Sequence, residues 1–320
     1  MVASFVAGVV TMYIWIMRRV MARMQDRYGP NRYGPFGVLQ AVADPMKLLF
    51  KEDIIPAKAD QILHPLAPVI VLAGSLMVWA VIPWGPGIAI TDLPVALLYI
   101  IAWGGLPTLG FLLAGWASYN KYALIGGMRA AAQFVSYEIP GVLAVLTPVL
   151  LAGTMSLQGI VQRQAEIGWF ILYFPVGPLA FVLFVISGLA EANQTPFDLV
   201  EAESELTAGY HVEYSGIRWG LFQLAEYANV FALSTVGATL FLGGWLAPPL
   251  PGLDLIPPYV WTFGKAAAIM FVFVWVRSTL PRFRYDQLMQ FAWKGLLPVA
   301  LLNLGLAAVG MALLPGVLAR

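Results

Sequence analysis

The sequence predicts an all-α polytopic membrane protein: about eight transmembrane helices, with an interfacial amphipathic helix after the first span, in a single membrane domain over residues 1–320. Composition is the first reason, because the chain is 60% hydrophobic and 11% charged with a mean hydropathy of +0.78, outside the range of soluble proteins. The second is that apolar runs near the roughly 20 residues needed to cross hydrocarbon recur eight times. The third is that lysine and arginine are confined almost wholly to alternate connections, the pattern that orients membrane helices.

In order, the first span covers 1–17 and stops at Arg18 and Arg19. No basic n-region precedes it and no small-residue cleavage pattern stands before Arg18, so it reads as a retained span rather than a signal peptide. The two Gly-Pro steps of DRYGPNRYGPF, residues 26–36, force turns. GVLQAVADPMKLLFKED follows, with apolar residues at Val38, Leu39, Val42, Met46, Leu49 and Phe50. That is helical spacing on a segment too short to cross, hence an interfacial helix, with Pro45 at its start or kinking it. The remaining spans are 66–84, 93–117, 134–154, 169–190, 221–246, 259–280 and 291–315. Connections WGPGIAITD, SLQGIVQRQAEIG and APPLPGLDLIPP are short and nearly uncharged, whereas 18–65, 118–133, 191–220 and 277–294 are long and charged.

Fifteen of eighteen basic residues fall in that second set; Arg163 and Arg320 lie on the other side and Lys265 within a span. The long segments should therefore face the cytoplasm, with both termini outside. Several functions are excluded. There are no cysteines, which removes disulfides, thiolate iron–sulfur ligation and thiol nucleophiles. His64 and His211 sit in separate connections and make a weak metal or haem pair, so any electron carrier belongs to another subunit. No Walker A, GxGxxG, HExxH or GxSxG pattern is present. The absence of an internal repeat argues against a secondary transporter, and the aromatic residues near span ends read as membrane-belt material.

Carboxylates carry the chemical signal. Six of seventeen lie between Glu191 and Glu213, and acids held close together raise one another's pKa. Proton handling and partner docking are both consistent with such crowding. Glu138 lies nine residues beyond Arg129 and Glu226 eight beyond Arg218, about 13 and 12 Å along their helices. Glu191 closes the fifth span on the same side. Ionisable groups in spans are either paired or functional, and convergence of three favours function. Pro140, just after Glu138, removes a backbone donor and opens room for water. Asp198, Glu201 and Glu205 follow i, i+3, i+7 spacing, one face of a helix with Glu203 turned away, and Arg218 is the one basic residue in that segment. Lys265 either pairs with a carboxylate or anchors its helix.

DRYGPNRYGPFG, ALIGGMRAAAQFVSYEIP, TPFDLVEAESELTAGYHVEYSG and RSTLPRFRYDQLM, four long motifs in order, closely resemble the family of H-type membrane subunits of proton-pumping NADH-quinone oxidoreductase, respiratory complex I. The likeness runs from about Arg18 to Pro298. It implies a membrane component, in a bacterial inner membrane, that holds no redox centre and no metal and contains no catalytic residue of its own. Such a component forms the quinone-access chamber, with lipid quinone as substrate and with iron–sulfur clusters and flavin in partner subunits. Implied partners are the hydrophilic-arm subunits carrying the terminal cluster and the adjacent small and antiporter-like membrane subunits; nucleic acid is not among them. By motif match, Glu138, Glu191, Asp198, Glu201, Glu203, Glu205, Glu213 and Glu226 belong to a proton relay, and Arg18, Arg27, Asp44, Arg277, Arg282 and Arg284 to the chamber and its docking loops. The chain departs from the family at Met17, where an acid is usual, at Gln194, where arginine is usual, and at Ala41, where proline is usual. With Met17 in the acid's place, Arg18 is expected to lack a charged neighbour.

The expected role is a subunit of a proton-translocating NADH:quinone oxidoreductase. The alternatives are the equivalent subunit of a ferredoxin-, coenzyme-F420- or hydrogenase-driven complex and, further off, a stand-alone ion transporter.

Overall fold

The computed structural model describes residues 2–200, 207–248 and 255–313. Its framework is helical; among the described residues the sole β-pairing is an isolated bridge between Gly85 and Ile88. Helix α1 runs Val2–Met24, carrying the first span through Arg18, Arg19 and Arg23, because nothing before Gly29-Pro30 breaks it. Helix α2, Gln40–Phe50, is the expected short amphipathic element, with Pro45 inside it rather than at its start. Helix α3, Leu63–Met77, extends through a 3₁₀ turn to Ala80 and stops short of Pro83.

The third span is divided into α4, Ala96–Gly104, and α5, Leu106–Ala117, broken at a pair of glycines followed by Pro107. Helix α6 spans Lys121–Ala152. The segment 121–133, assigned from charge to a connection, is therefore helical; Asn120 caps it by accepting from the Tyr122 N–H. At 32 residues α6 is about 48 Å long, so it projects beyond a hydrocarbon core of roughly 30 Å. Helix α7, Leu157–Ile167, was not anticipated. Its signals are Ser156, which caps Gly159 N, and apolar Leu157, Ile160 and Val161 on one buried face.

Helix α8, Val176–Glu191, has 16 residues and is shorter than the expected fifth span, residues 170–172 forming a separate 3₁₀ turn ahead of it. Helices α9, Gly216–Phe241, and α10, Pro258–Thr279, follow. Helix α11, Tyr285–Gln290, joins through a π-helical stretch, Phe291–Leu296, to α12, Leu297–Leu313. Among the described residues seven continuous or near-continuous helices are long and apolar enough to cross a membrane, with α8 as a shorter apolar helix. The protein is a multi-pass membrane protein.

Lipid offers helices no hydrophobic drive to associate, so close approach and dispersion must hold them. Glycines supply the approach. A Cβ on Gly115 of α5 would stand 2.5 Å from the Ala123 carbonyl of α6, and one on Gly126 of α6 would stand 2.7 Å from Gly209. At the end away from most of the arginines, Trp79, Trp84, Phe231 and Phe263 pack in one cluster, with Trp84 and Phe263 centroids 4.6 Å apart. Trp79 is buried, so this tryptophan belongs to the core and not to a membrane belt.

A carboxylate-lined cavity as the candidate functional site

Helices α3, α4, α5, α6, α8 and α9 surround a cavity of about 90 Å³, several times the roughly 10–15 Å³ that one water requires by the same measure. Its walls are mainly apolar, yet Glu138 of α6, Glu191 of α8 and Glu226 of α9 all line it. Each is there for a local reason. Glu138 faces the break between α4 and α5, where a Cβ on Gly105 would come within 3.1 Å of its Oε1. Glu191 fits against α6 because Gly141 has no side chain; a Cβ there would meet Glu191 Oε1 and Ser187 Cβ at 3.2 Å. Glu226 accepts from Asn193 Nδ2 at 3.1 Å and from the Tyr210 hydroxyl at 3.4 Å. The charges of Glu138 and Glu191 are within interaction range of each other. Among the described residues the buried Ser187 hydroxyl on the cavity wall has no hydrogen-bond partner, which suits a group that bonds to water.

The turn that ends α8 was not anticipated from the sequence. Asn193 adopts a left-handed backbone, φ 49°, and its Oδ1 receives Gln133 Nε2 at 3.4 Å. Gln133 also donates to the Ala190 carbonyl at 2.9 Å. A polar Gln133 within the apolar run AAAQFV was the available signal.

Arg18, Arg277, Arg282 and Arg218 occupy the same end of the bundle in four different settings. Arg18 pairs with Asp44 of α2 at 2.5 Å, which corrects the expectation that Met17 leaves it without a charged neighbour; the partner lies 26 positions away along the chain. Arg277 donates to Gln194 Oε1 at 2.6 Å and approaches Met17 Sδ at 3.8 Å, so two of the departures from the family pattern meet at one guanidinium. Its charge also reaches Tyr13, Tyr227, Asp198 and Glu226. Arg282 pairs with Asp198 at 2.9 Å, so Arg218 does not balance the acidic run alone. Arg218 instead pairs with Asp53 at 3.0 Å and contacts His64 Nδ1 at 3.2 Å. The His64 ring stacks on Tyr214 at 4.0 Å, and burial pushes the Tyr214 phenol above its usual range.

Arg27 and Arg284 are exposed; Arg27 bonds Gln25 at 3.1 Å and Arg284 stands 3.9 Å from Asp286. Glu213 accepts from Asn120 at 2.6 Å. Glu201, Glu203 and Glu205 lie outside the described residues. Among the described residues no group of three or more His, Asp or Glu side chains is placed to hold a metal ion.

Lys265 lies at the opposite end. Its ammonium donates to the carbonyls of Leu242, Gly244 and Leu246 at 2.6, 2.9 and 2.6 Å and sits 4.4 Å from the Trp169 ring centroid. It anchors the end of α9 to α10.

The sequence profile of the NADH dehydrogenase family matches residues 1–308. The chain is 54% identical over 307 residues to the H subunit of NADH-quinone oxidoreductase from Geobacillus kaustophilus, covering 96% of this chain and 90% of that protein. It is 52% identical over 305 residues to the H subunits from Anoxybacillus flavithermus and Bacillus cytotoxicus, with 95% of this chain and 90% of each relative covered. Likeness at that level across nearly the whole length means that this chain belongs to the NADH dehydrogenase family.

Proposed function

We propose that the chain is the H subunit of a proton-translocating NADH:quinone oxidoreductase in a bacterial inner membrane, with its arginine-rich connections in the cytoplasm and its termini outside. It holds no redox centre. It borders the path by which lipid quinone reaches the partner subunits carrying the terminal iron–sulfur cluster, and it passes protonation changes towards the antiporter-like membrane subunits. Family membership supports the complex, and the charge bias supports the orientation. The observation that carries the relay is that Glu138, Glu191 and Glu226, from three helices, line one cavity.

The physics is electrostatic. Quinone reduction changes the charge beside the arginine-rich end, where Arg277 already acts on Glu226 and Asp198. Closely spaced carboxylates do not titrate independently, so a proton gained at one alters the affinity of the next. The cavity volume leaves room for water among these side chains, and Ser187 offers it a polar group.

The test uses the assembled complex in sealed vesicles, measuring protons moved per NADH oxidised. Glu138→Gln and Glu226→Gln should assemble normally yet move roughly half the wild-type protons or fewer, since an amide cannot bind and release a proton in this range. Full proton yield in both variants would remove the relay.

A further inference from the structure

Building on the relay reading, we infer that the consecutive amides Asn193 and Gln194 are positioning residues that fix Glu226 relative to Arg277. Both are buried, and they point at opposite charges. Asn193 offers its Nδ2 to Glu226 Oε1 at 3.1 Å; Gln194 offers its Oε1 to Arg277 Nη1 at 2.6 Å. One turn of chain therefore connects α9 to α10 by two charge-assisted hydrogen bonds, the stronger kind.

The orientation of each amide is set by its second bond. Asn193 Oδ1 receives Gln133 Nε2 at 3.4 Å, so turning the amide over would set its oxygen against the Glu226 carboxylate and its NH₂ against the Gln133 donor. Gln194 Nε2 donates to the Ala192 carbonyl at 2.9 Å, and its backbone N–H to Leu189 at 3.1 Å. The left-handed backbone at Asn193, φ 49°, is what sends two adjacent side chains to two different helices; asparagine and glycine adopt it most readily. A displacement of Arg277 therefore pulls on the turn that holds Glu226.

The experiment follows from that backbone. Asn193→Gly keeps the left-handed turn and removes the bond to Glu226; Asn193→Asp keeps the shape and replaces the donor by an acceptor. In vesicles containing the full complex, each should lower the protons moved per NADH about twofold or more, with the apparent KM for a soluble quinone unchanged, as for loss of an interaction not made with substrate. Asn193→Gly combined with Glu226→Gln should be no worse than Glu226→Gln alone, because both act on one pathway. In infrared difference spectra, the carboxyl band that Glu226→Gln abolishes should shift in Asn193→Gly. Full proton yield in either Asn193 variant, multiplication of the losses in the double variant, or an unmoved carboxyl band overturns the positioning role. Full yield in Glu226→Gln would instead take Glu226 out of the relay on which this inference rests, an outcome separate from the others.

Discussion

Two buried charged regions, one around Lys265 at an end of the bundle and one in the cavity among the helices, are built on opposite rules. Around Lys265, three backbone carbonyls and an indole face surround one ammonium. Its three donors are matched by three fixed acceptors, so the charge is satisfied and the site is rigid. Around the cavity, three carboxylates share apolar walls with an unpartnered serine hydroxyl, and Glu226 is held by neutral amide and phenol donors. Saturation by backbone locks a charge in place. Exposure to a wettable cavity leaves protonation to depend on neighbouring charges.

Removing the locked charge should have the largest effect on stability. Lys265→Leu leaves one buried and two half-buried carbonyls without their donor, up to roughly 1–3 kcal/mol for a buried one, and disconnects the end of α9 from α10. The assembled complex should show a clear loss of thermal stability or fail to accumulate in the membrane. Lys265→Arg should be intermediate, because a planar guanidinium matches three converging carbonyls poorly. If Lys265→Leu melts like wild type, the saturated cluster is not what holds that end together.

The cavity should respond in the opposite way. Glu191→Gln exchanges a cavity carboxylate for a neutral group of nearly the same shape, so thermal stability should change by less than about 1 kcal/mol. The proton yield per NADH should nonetheless fall, as for Glu138→Gln. A variant that loses stability and keeps its proton yield would mean that Glu191 is a structural group like Lys265, and the contrast between the two regions would disappear.

The sequence made the spans, the charge bias and the three carboxylates legible because each is recorded in local composition. What it concealed depends on distance or on helix continuity. By charge Lys121 and Arg129 belong to a connection, yet no proline interrupts 121–133 and α6 runs straight through its Gly126-Gly127 pair. The break in the third span rests on Gly104-Gly105, which apolar windows pass over. Arg18 was judged by its neighbours in the chain, while its partner Asp44 comes from the next helix. Asn193 bridges Gln133 and Glu226 across 60 and 33 positions, and no local pattern announces such a contact. Lys265 was visible as an ionisable residue in a span, but backbone carbonyls as its partners leave no trace in side-chain identities.

Asp60 extends the comparison into water and should show the smallest effect. Like Lys265 it is met by backbone groups, accepting from the Ile62 and Leu63 amides at 2.9 Å each at the start of α3, but it stands in solvent. The Leu63 and Ile62 amides hold its carboxyl below the usual aspartate range. The folded form therefore binds its proton less readily than the unfolded chain does. Its contribution is complete above the unfolded pKa, near 4, and disappears as pH falls through the lower folded value. Acidification below about pH 4 should loosen the first turn of α3, read as faster amide exchange at Ile62 and Leu63. Asp60→Asn, which keeps an acceptor without an ionisable group, should remove this site's pH dependence and alter global stability little. The same kind of backbone saturation then has a local effect in water and a structural one inside the bundle, so burial sets the scale. Equal acid sensitivity at Ile62 and Leu63 in Asp60→Asn would show that another group governs this turn.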